Sequence, residues 1–177
     1  VVAGQLQQER VESIAVCFLH AYANPIHERR AGEILAEVFP EAMVSLSSEV
    51  APEFREYLRA STTVINGCIR PVVARYLQRI EERLAEAGIR AELLVMQSSG
   101  GVYTFAAAQQ RPVYMVESGP AAGVITAAHL GQALGYDQVI SFDMGGTTAK
   151  AGLVQGGEPS VTKDYEVGAK AQSGVGA

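Results

Sequence analysis

The sequence predicts an α/β fold, and three observations point to it. Short apolar runs of strand length alternate along the chain with longer stretches of helical periodicity, the pattern of layered strands and helices. Hydrophobic residues make up 48% of the 177 and charged residues 19%, which is ample material for a core and too apolar for a disordered chain. The 18 glycines fall mostly after residue 99, next to predicted strand ends, where α/β folds place their turns and ligand loops.

Taken in order, Ile14 to Leu19 is apolar throughout and reads as a strand buried on both faces. Asn24-Pro25 follows as a helix start, with Asn24 as N-cap and Pro25 at the first helical position. Ala31, Ile34, Leu35 and Val38 mark one face of that helix, and Pro40 ends it. Met43 to Leu46 is a short strand. A long helix is expected over Glu53 to Ala87, with its apolar stripe on Ile69, Val72, Val73, Tyr76, Leu77, Ile80 and Leu84. Pro71 should break or kink it, and Gly88 stops it.

Glu92 to Met96 is expected as another buried strand, Thr104 to Gln110 as a short helix, and Val113 to Val116 as a third strand. Glu117-Ser-Gly-Pro-Ala-Ala-Gly123 opens a helix to about Leu134, stopped by Gly135. Val139 to Phe142 is a strand, Ala149 to Val154 returns from it as a hairpin, and Gly156-Gly157 makes the next turn.

Charge and composition exclude several functions. The formal charge is −5, from 14 Lys+Arg against 19 Asp+Glu, so the basic face on which a general nucleic-acid binder relies is missing. A phosphate site remains open, because backbone N–H groups at a glycine-rich turn supply local positive potential without basic residues. No apolar run has membrane-spanning length, so no membrane association is expected. Cys17 and Cys68 lie in or beside apolar segments without a CxxC partner and read as two packed thiols in a reducing, cytoplasmic compartment. His20, His27 and His129 have no metal-ligand spacing; His27 with Glu28 reads as first-turn helix polarity.

The strongest chemical signal is Val139-Ile-Ser-Phe-Asp-Met-Gly-Gly-Thr-Thr-Ala-Lys150. An apolar strand ends in Asp143, and Gly145, Gly146, Thr147 and Thr148 turn the chain into a second strand. Without Cβ atoms the glycines let an anion approach the backbone, and the threonines add hydroxyl donors. Asp143 suits Mg2+ coordination or the orientation of an attacking water. A plain hairpin turn explains the glycines but not the whole set. Walker-type spacing is absent, and a strand rather than a helix follows the glycines, so neither a P-loop nor a dinucleotide fingerprint is present. Period-2 alternation puts Lys150 with Thr148 and Gly152, opposite Ala149, Ala151 and Leu153; assigning that apolar set to the core leaves Lys150 on the ligand side.

Two further turns are weaker. Ser118 or Gly119 caps a helix whose N-terminus suits an anion, though small residues there serve capping and close packing equally well. Ser98, Ser99 and Gly100 lie just past a predicted strand, where ligand contacts and ordinary polar turns both occur. Arg59, Arg70 and Arg111 could each pair with an anion, but such arginines are mostly solvated or salt-bridged.

The D-x-G-G-T strand–turn–strand resembles the phosphate loops of actin-like (ribonuclease H-like) ATPases. Six segments occurring in order narrow the resemblance: Ser13 to Pro25 with His27-Glu28, Leu46 to Val50, Ser61 to Asn66, Met96 to Gly101, Glu117 to Val124, and Phe142 to Lys150. Together they resemble the hydantoinase A / 5-oxoprolinase family, which includes the acetone carboxylase β subunit, over about Val11 to Val167.

The resemblance implies a partial actin-like ATPase fold and ATP-dependent opening of a cyclic amide, such as N-methylhydantoin or 5-oxoproline, by phosphorylation of the amide oxygen. It implies ATP and Mg2+ as cofactors. Gly145, Gly146, Thr147, Thr148 and Lys150 would hold the terminal phosphate, Ser118, Gly119, Ser98, Ser99 and Gly100 would line the cleft, and Asp143 would serve as catalytic residue and metal ligand. It further implies a second subunit of the hydantoinase B type and leaves homo-oligomers open. Residues 1–60 correspond to the end of the family's N-terminal domain and 61–177 to the start of its main domain. The family's further D-x-G-G-T loop is not in this chain, Val1 is not Met, and 168–177 is rich in Gly, Ala and Ser. The chain is therefore expected to be an internal segment with little catalysis alone. The competing readings are another actin-like phosphotransferase, an acetone carboxylase-type subunit, and a non-catalytic interaction subunit of the same fold.

Overall fold

The computed structural model describes residues 2–161. It is α/β and divides into two compact units, one ending at Gly119 and the other beginning at Pro120. Expectations that fall on the tail beyond 161 lie outside the described residues.

In the first unit, a seven-residue helix α1 (Val2–Gln8) precedes strand β1 (Ser13–Val16). Helix α2 (Ile26–Val38) connects β1 to strand β2 (Met43–Leu46), and the two strands pair in parallel from Ser13↔Met43 to Val16↔Leu46. Strand β1 is shorter than the apolar run, which extends to Leu19. Beyond Val16 the backbone bonds elsewhere: the Phe18 N–H donates to the Glu28 carboxylate at 2.7 Å. Asn24 acts at the start of α2 through its side-chain oxygen, which accepts from Ile26 N at 3.2 Å, while Pro25 sits one position before the helix.

The buried face of α2 differs from the expected one. Ile34 and Val38 are exposed, whereas Glu28 is fully buried and Gly32 lies against the Leu46 side chain. A charged residue has taken a core position, which hydropathy alone points away from the core.

A one-turn helix α3 (Ser47–Val50) leads to α4 (Glu56–Glu86), 31 residues long. Helix α4 runs unbroken through Pro71, which is buried; only the intrahelical donor at that position is lost. Its buried positions are Arg59, Thr63, Asn66, Gly67, Pro71, Ala74 and Leu77, whereas Val72 and Tyr76, expected on the apolar stripe, are exposed. Leu77 is buried and Ile69, Val73, Ile80 and Leu84 are half-buried as the stripe predicts, while the N-terminal half of the helix is held by polar contacts that the apolar pattern does not report. Gly88, at φ +79°, provides the expected stop.

Strands β3 (Leu94–Met96) and β4 (Val102–Thr104) form an antiparallel hairpin, and Leu94 is half-exposed rather than buried. Helix α5 (Phe105–Gln110) starts at Thr104, whose hydroxyl accepts from Ala107 N at 3.3 Å. The expected strand over Val113 to Val116 is instead a 3-10 helix, Pro112–Met115. Pro112 begins that turn, and the Val113 N–H is taken by the Asn66 side chain rather than by a neighbouring strand.

Helix α6 (Ser118–Leu134) starts at the end of the first unit and continues through the second, where Gly135 at φ +81° stops it. The second unit holds an antiparallel sheet of β5 (Gln138–Met144), β6 (Ala149–Gln155) and β7 (Glu158–Pro159). The β5–β6 register runs from Gln138↔Gln155 to Met144↔Ala149. Helix α6 packs on the face bearing Val139, Gly152 and Val154. Only glycine fits at 152, because a Cβ there would stand 2.2 Å from Val124 Cγ2.

This packing corrects the facing assigned to β6. Val154 is fully buried, whereas Leu153, Ala149 and Ala151 are exposed together with Ile140, Phe142 and Met144 on β5. The helix chose the face where glycine allows close approach, not the one richer in apolar side chains. Cys68 is likewise exposed rather than packed; both cysteines are free thiols.

Candidate functional site

The phosphate-loop candidate is the tip of the β5–β6 hairpin. Asp143 is the penultimate residue of β5, within the strand rather than just past it, and sits directly opposite Lys150. Directly opposed residues of antiparallel strands share a face, so both project on the side of Val139, Ser141, Gly152 and Val154. Asp143 is exposed and Lys150 half-buried.

Beyond the Met144↔Ala149 pair, Gly145, Gly146, Thr147 and Thr148 form the loop, closed by Gly145 N donating to Thr148 O at 2.9 Å. Among the described residues, the amides of Gly146, Thr147 and Thr148 make no backbone hydrogen bond. The hairpin itself does not demand glycine here. Neither glycine has a positive φ, a Cβ on Gly145 would meet only Thr148 O at 3.9 Å, and a Cβ on Gly146 would meet nothing within 4 Å. What the two glycines provide is backbone without a Cβ in the way, beside amides that make no backbone hydrogen bond among the described residues and two threonine hydroxyls. Such groups are the kind an oxyanion site uses.

The structure thus brings Asp143, Gly145, Gly146, Thr147, Thr148 and Lys150 together on one hairpin. Ser118 and Gly119 form the first turn of α6, with Gly119 exposed and nothing within 4 Å of a Cβ placed on it. Ser98, Ser99 and Gly100 form the β3–β4 turn. Gly100 has φ +90° and donates to Gln97 O at 3.0 Å, Ser98 N donates to Tyr114 O at 2.8 Å, and the Ser99 hydroxyl donates to Gln97 Oε1 at 3.2 Å.

No group of three or more His, Cys, Asp or Glu able to hold a metal occurs among the described residues. Mg2+ bound beside a nucleotide keeps waters and phosphate oxygens and needs only one or two protein carboxylates, a demand that Asp143 fits. No helix among the described residues is long and apolar enough to cross a membrane.

A second polar centre, in the first unit, escapes the sequence reading. The buried Glu28 carboxylate accepts from Ser47 Oγ at 2.6 Å, Phe18 N at 2.7 Å and Ser48 N at 2.8 Å. Burial pushes its pKa up, but these hydrogen bonds outweigh that effect and hold it below the ordinary value of 4.5. Arg59, also buried, donates to Ser47 Oγ at 3.1 Å, Glu53 O at 2.9 Å and Phe18 O at 2.9 Å, and its guanidinium lies 3.6 Å from Glu56. Asn66 donates to Ser45 Oγ and Gln110 O and accepts from Val113 N. Glu28 and Arg59 therefore tie the end of β1 and helices α2, α3 and α4 together. Read singly they look like surface charges; only the contacts of Glu28, Ser47, Arg59 and Asn66 with groups distant in sequence make a buried network.

The profile of the hydantoinase/oxoprolinase family matches residues 59–175, and that of the hydantoinase/oxoprolinase N-terminal region matches residues 2–39. An uncharacterized protein of Methanocaldococcus jannaschii is 43% identical over 98% of the chain, which corresponds to 25% of that protein. The caprolactamase subunit alpha of Pseudomonas jessenii is 35% identical over 90% of the chain and 23% of its own length. A nucleotide-free structure of acetone carboxylase, solved to address ATP-dependent acetone carboxylation, superposes with a TM-score of 0.79 at 30% identity, covering 93% of this chain and 24% of that one. The chain thus spans about a quarter of the length of each of these three relatives.

Proposed function

The chain belongs to the hydantoinase/oxoprolinase family, and from that premise we propose that it is part of an ATP-dependent cyclic amide hydrolase. The observation that carries this reading is the β5–β6 tip: amides that make no backbone hydrogen bond among the described residues, two glycines the hairpin itself does not require, and a carboxylate beside them. The fold in which it works is a partial actin-like ATPase, with residues 1–60 closing an N-terminal domain and 61–177 opening the main one.

A cyclic amide resists water because nitrogen donation makes its carbonyl carbon a poor electrophile. When bound, ATP would supply a phosphoryl group to the amide oxygen and leave as ADP, which turns that oxygen into part of a phosphate leaving group and opens the carbon to attack by water. The work of this chain is positioning and electrostatic bracing. The Gly146, Thr147 and Thr148 amides and the threonine hydroxyls hold the terminal phosphate oxygens. Lys150 adds positive charge from the adjoining strand, and Asp143 holds Mg2+ directly or through water. Ser118 and Gly119, at the start of α6, offer helix N-terminal amides, and the Ser98–Gly100 turn offers polar groups, each as a further candidate phosphate contact.

The partner in this reading is a second subunit of the hydantoinase B type, a role supported by the subunit designation of the caprolactamase relative. The free thiols of Cys17 and Cys68 support a reducing, cytoplasmic setting. The likeness to acetone carboxylase favours one other reading, a carboxylase subunit that uses the same phosphate loop on a different carbonyl. ADP release by the full-length protein with its partner subunit separates the two. Stimulation by hydantoin, 5-oxoproline or caprolactam supports the hydrolase, stimulation by acetone with bicarbonate supports the carboxylase, and ADP release unaffected by any of them rejects both.

A further inference from the structure

The first unit contains a cavity of about 440 Å³ between β2, the one-turn helix α3, helix α4 and the end of α5. Among the residues that line it are Ser45, Glu49, Arg70, Gln110 and Arg111. Arg70 is partly buried there, and all its hydrogen-bond partners are neutral: Val44 O, Gln109 O and Gln110 Oε1. Those three contacts leave part of a guanidinium's five-donor fork unused. Burial pulls the Arg70 pKa down, and the negative charge of Glu49 only partly offsets that effect. Arg111 is exposed, and among the described residues its guanidinium has neither a hydrogen bond nor an ion pair. Two cations and one carboxylate thus line the same cavity, a local excess of positive charge in a chain whose formal charge is −5.

We propose that this cavity is a binding site for a small carboxylate, held by Arg70 and Arg111. A planar guanidinium matches a carboxylate through paired N–H···O bonds, and Arg70 is already fixed in place by three backbone and side-chain acceptors, so little freedom is lost on binding. The cavity stays accessible, since Glu49, Gln110 and Arg111 are all exposed. Glu49 sets the selectivity. Its negative charge tolerates a singly charged carboxylate beside two arginines but opposes a doubly charged phosphate.

Titration of the isotopically labelled chain with sodium acetate, followed by NMR at constant ionic strength, tests this directly. Acetate should shift the amides of Ser45, Gln110 and Arg111 saturably. Arg111→Ala, at an exposed position, should weaken binding about tenfold or more, the usual scale of a lost charge-assisted contact. Glu49→Gln should tighten it, an effect that a purely structural role for this residue would not produce. Inorganic phosphate should bind more weakly than acetate. Non-saturating shifts, an Arg111→Ala variant that binds acetate like the parent, or tighter binding of phosphate would each overturn the proposal.

Discussion

Replacing Glu28 by Gln tests the buried network with an almost isosteric change. One Glu28 oxygen accepts from Phe18 N and Ser47 Oγ, the other from Ser48 N. A glutamine oriented to keep the first two bonds turns its NH2 toward the Ser48 N–H, donor against donor; turned the other way, it orphans two donors. The less costly choice leaves one buried N–H unsatisfied, about 1–3 kcal/mol, and weakens two charge-assisted bonds to neutral ones. The variant should therefore lose about 2–4 kcal/mol, a large share of the roughly 5–15 kcal/mol that stabilises a typical domain. Urea unfolding followed by far-UV circular dichroism should show the midpoint falling by about 1 M or more, given slopes of about 1–3 kcal/mol per M. The pH dependence is equally specific. The folded pKa of Glu28 lies below its unfolded value of about 4.5, so its contribution is complete above that value and disappears as pH falls through the folded pKa. The gap between parent and variant should stay constant from neutral pH down to about 5 and close only below the unfolded value. A difference under about 0.5 kcal/mol, or a gap already closed at pH 6, would refute the reasoning.

Other consequences are as concrete. Gly152→Ala should destabilise the second unit by about 1–3 kcal/mol through overpacking against Val124, and Val124→Ala in the same chain should restore part of the loss, seen in paired thermal melts. Tyr103, whose hydroxyl is held by Arg111 O, has its pKa pushed up to about 12 by burial, so it should ionise after the ordinary tyrosines in an ultraviolet titration. Its contribution to stability is full below the unfolded value of about 10 and is lost as pH rises through the folded one.

The elements governed by local chemistry were legible in the sequence. The helix stop at Gly88, the short helix after Thr104, the α6 span and the β5–β6 hairpin all lie where turn residues and periodicity place them. Facing was less legible, because contacts distant in sequence decide it. Helix α2 buries Glu28 rather than Ile34 since Ser47 and Ser48, about 20 positions on, satisfy the carboxylate. The Val113–Val116 run would suit a strand, but Asn66 in the long helix takes its first amide and a 3-10 turn forms. On β6 the packed face follows Gly152 and Val124, a steric fit that hydropathy does not report. The turn from Asp143 to Lys150 could be placed because the strand, glycine and threonine residues that form it are consecutive. The Glu28–Ser47–Arg59 network could not, because its members are scattered over three helices.

The Asp143 loop is proposed to serve ATP-dependent opening of a cyclic amide. Its most direct test is the coupling of ADP release to ring opening in the full-length protein with its partner subunit, parent against Asp143→Asn. The parent should release ADP in proportion to amide opened, and Asp143→Asn should lose both by about a hundredfold or more while melting at the parent's temperature, as expected when an electrostatic stabiliser of phosphoryl transfer is removed. Turnover at the parent's rate in the Asp143→Asn protein, or ring opening without ADP, would contradict the account.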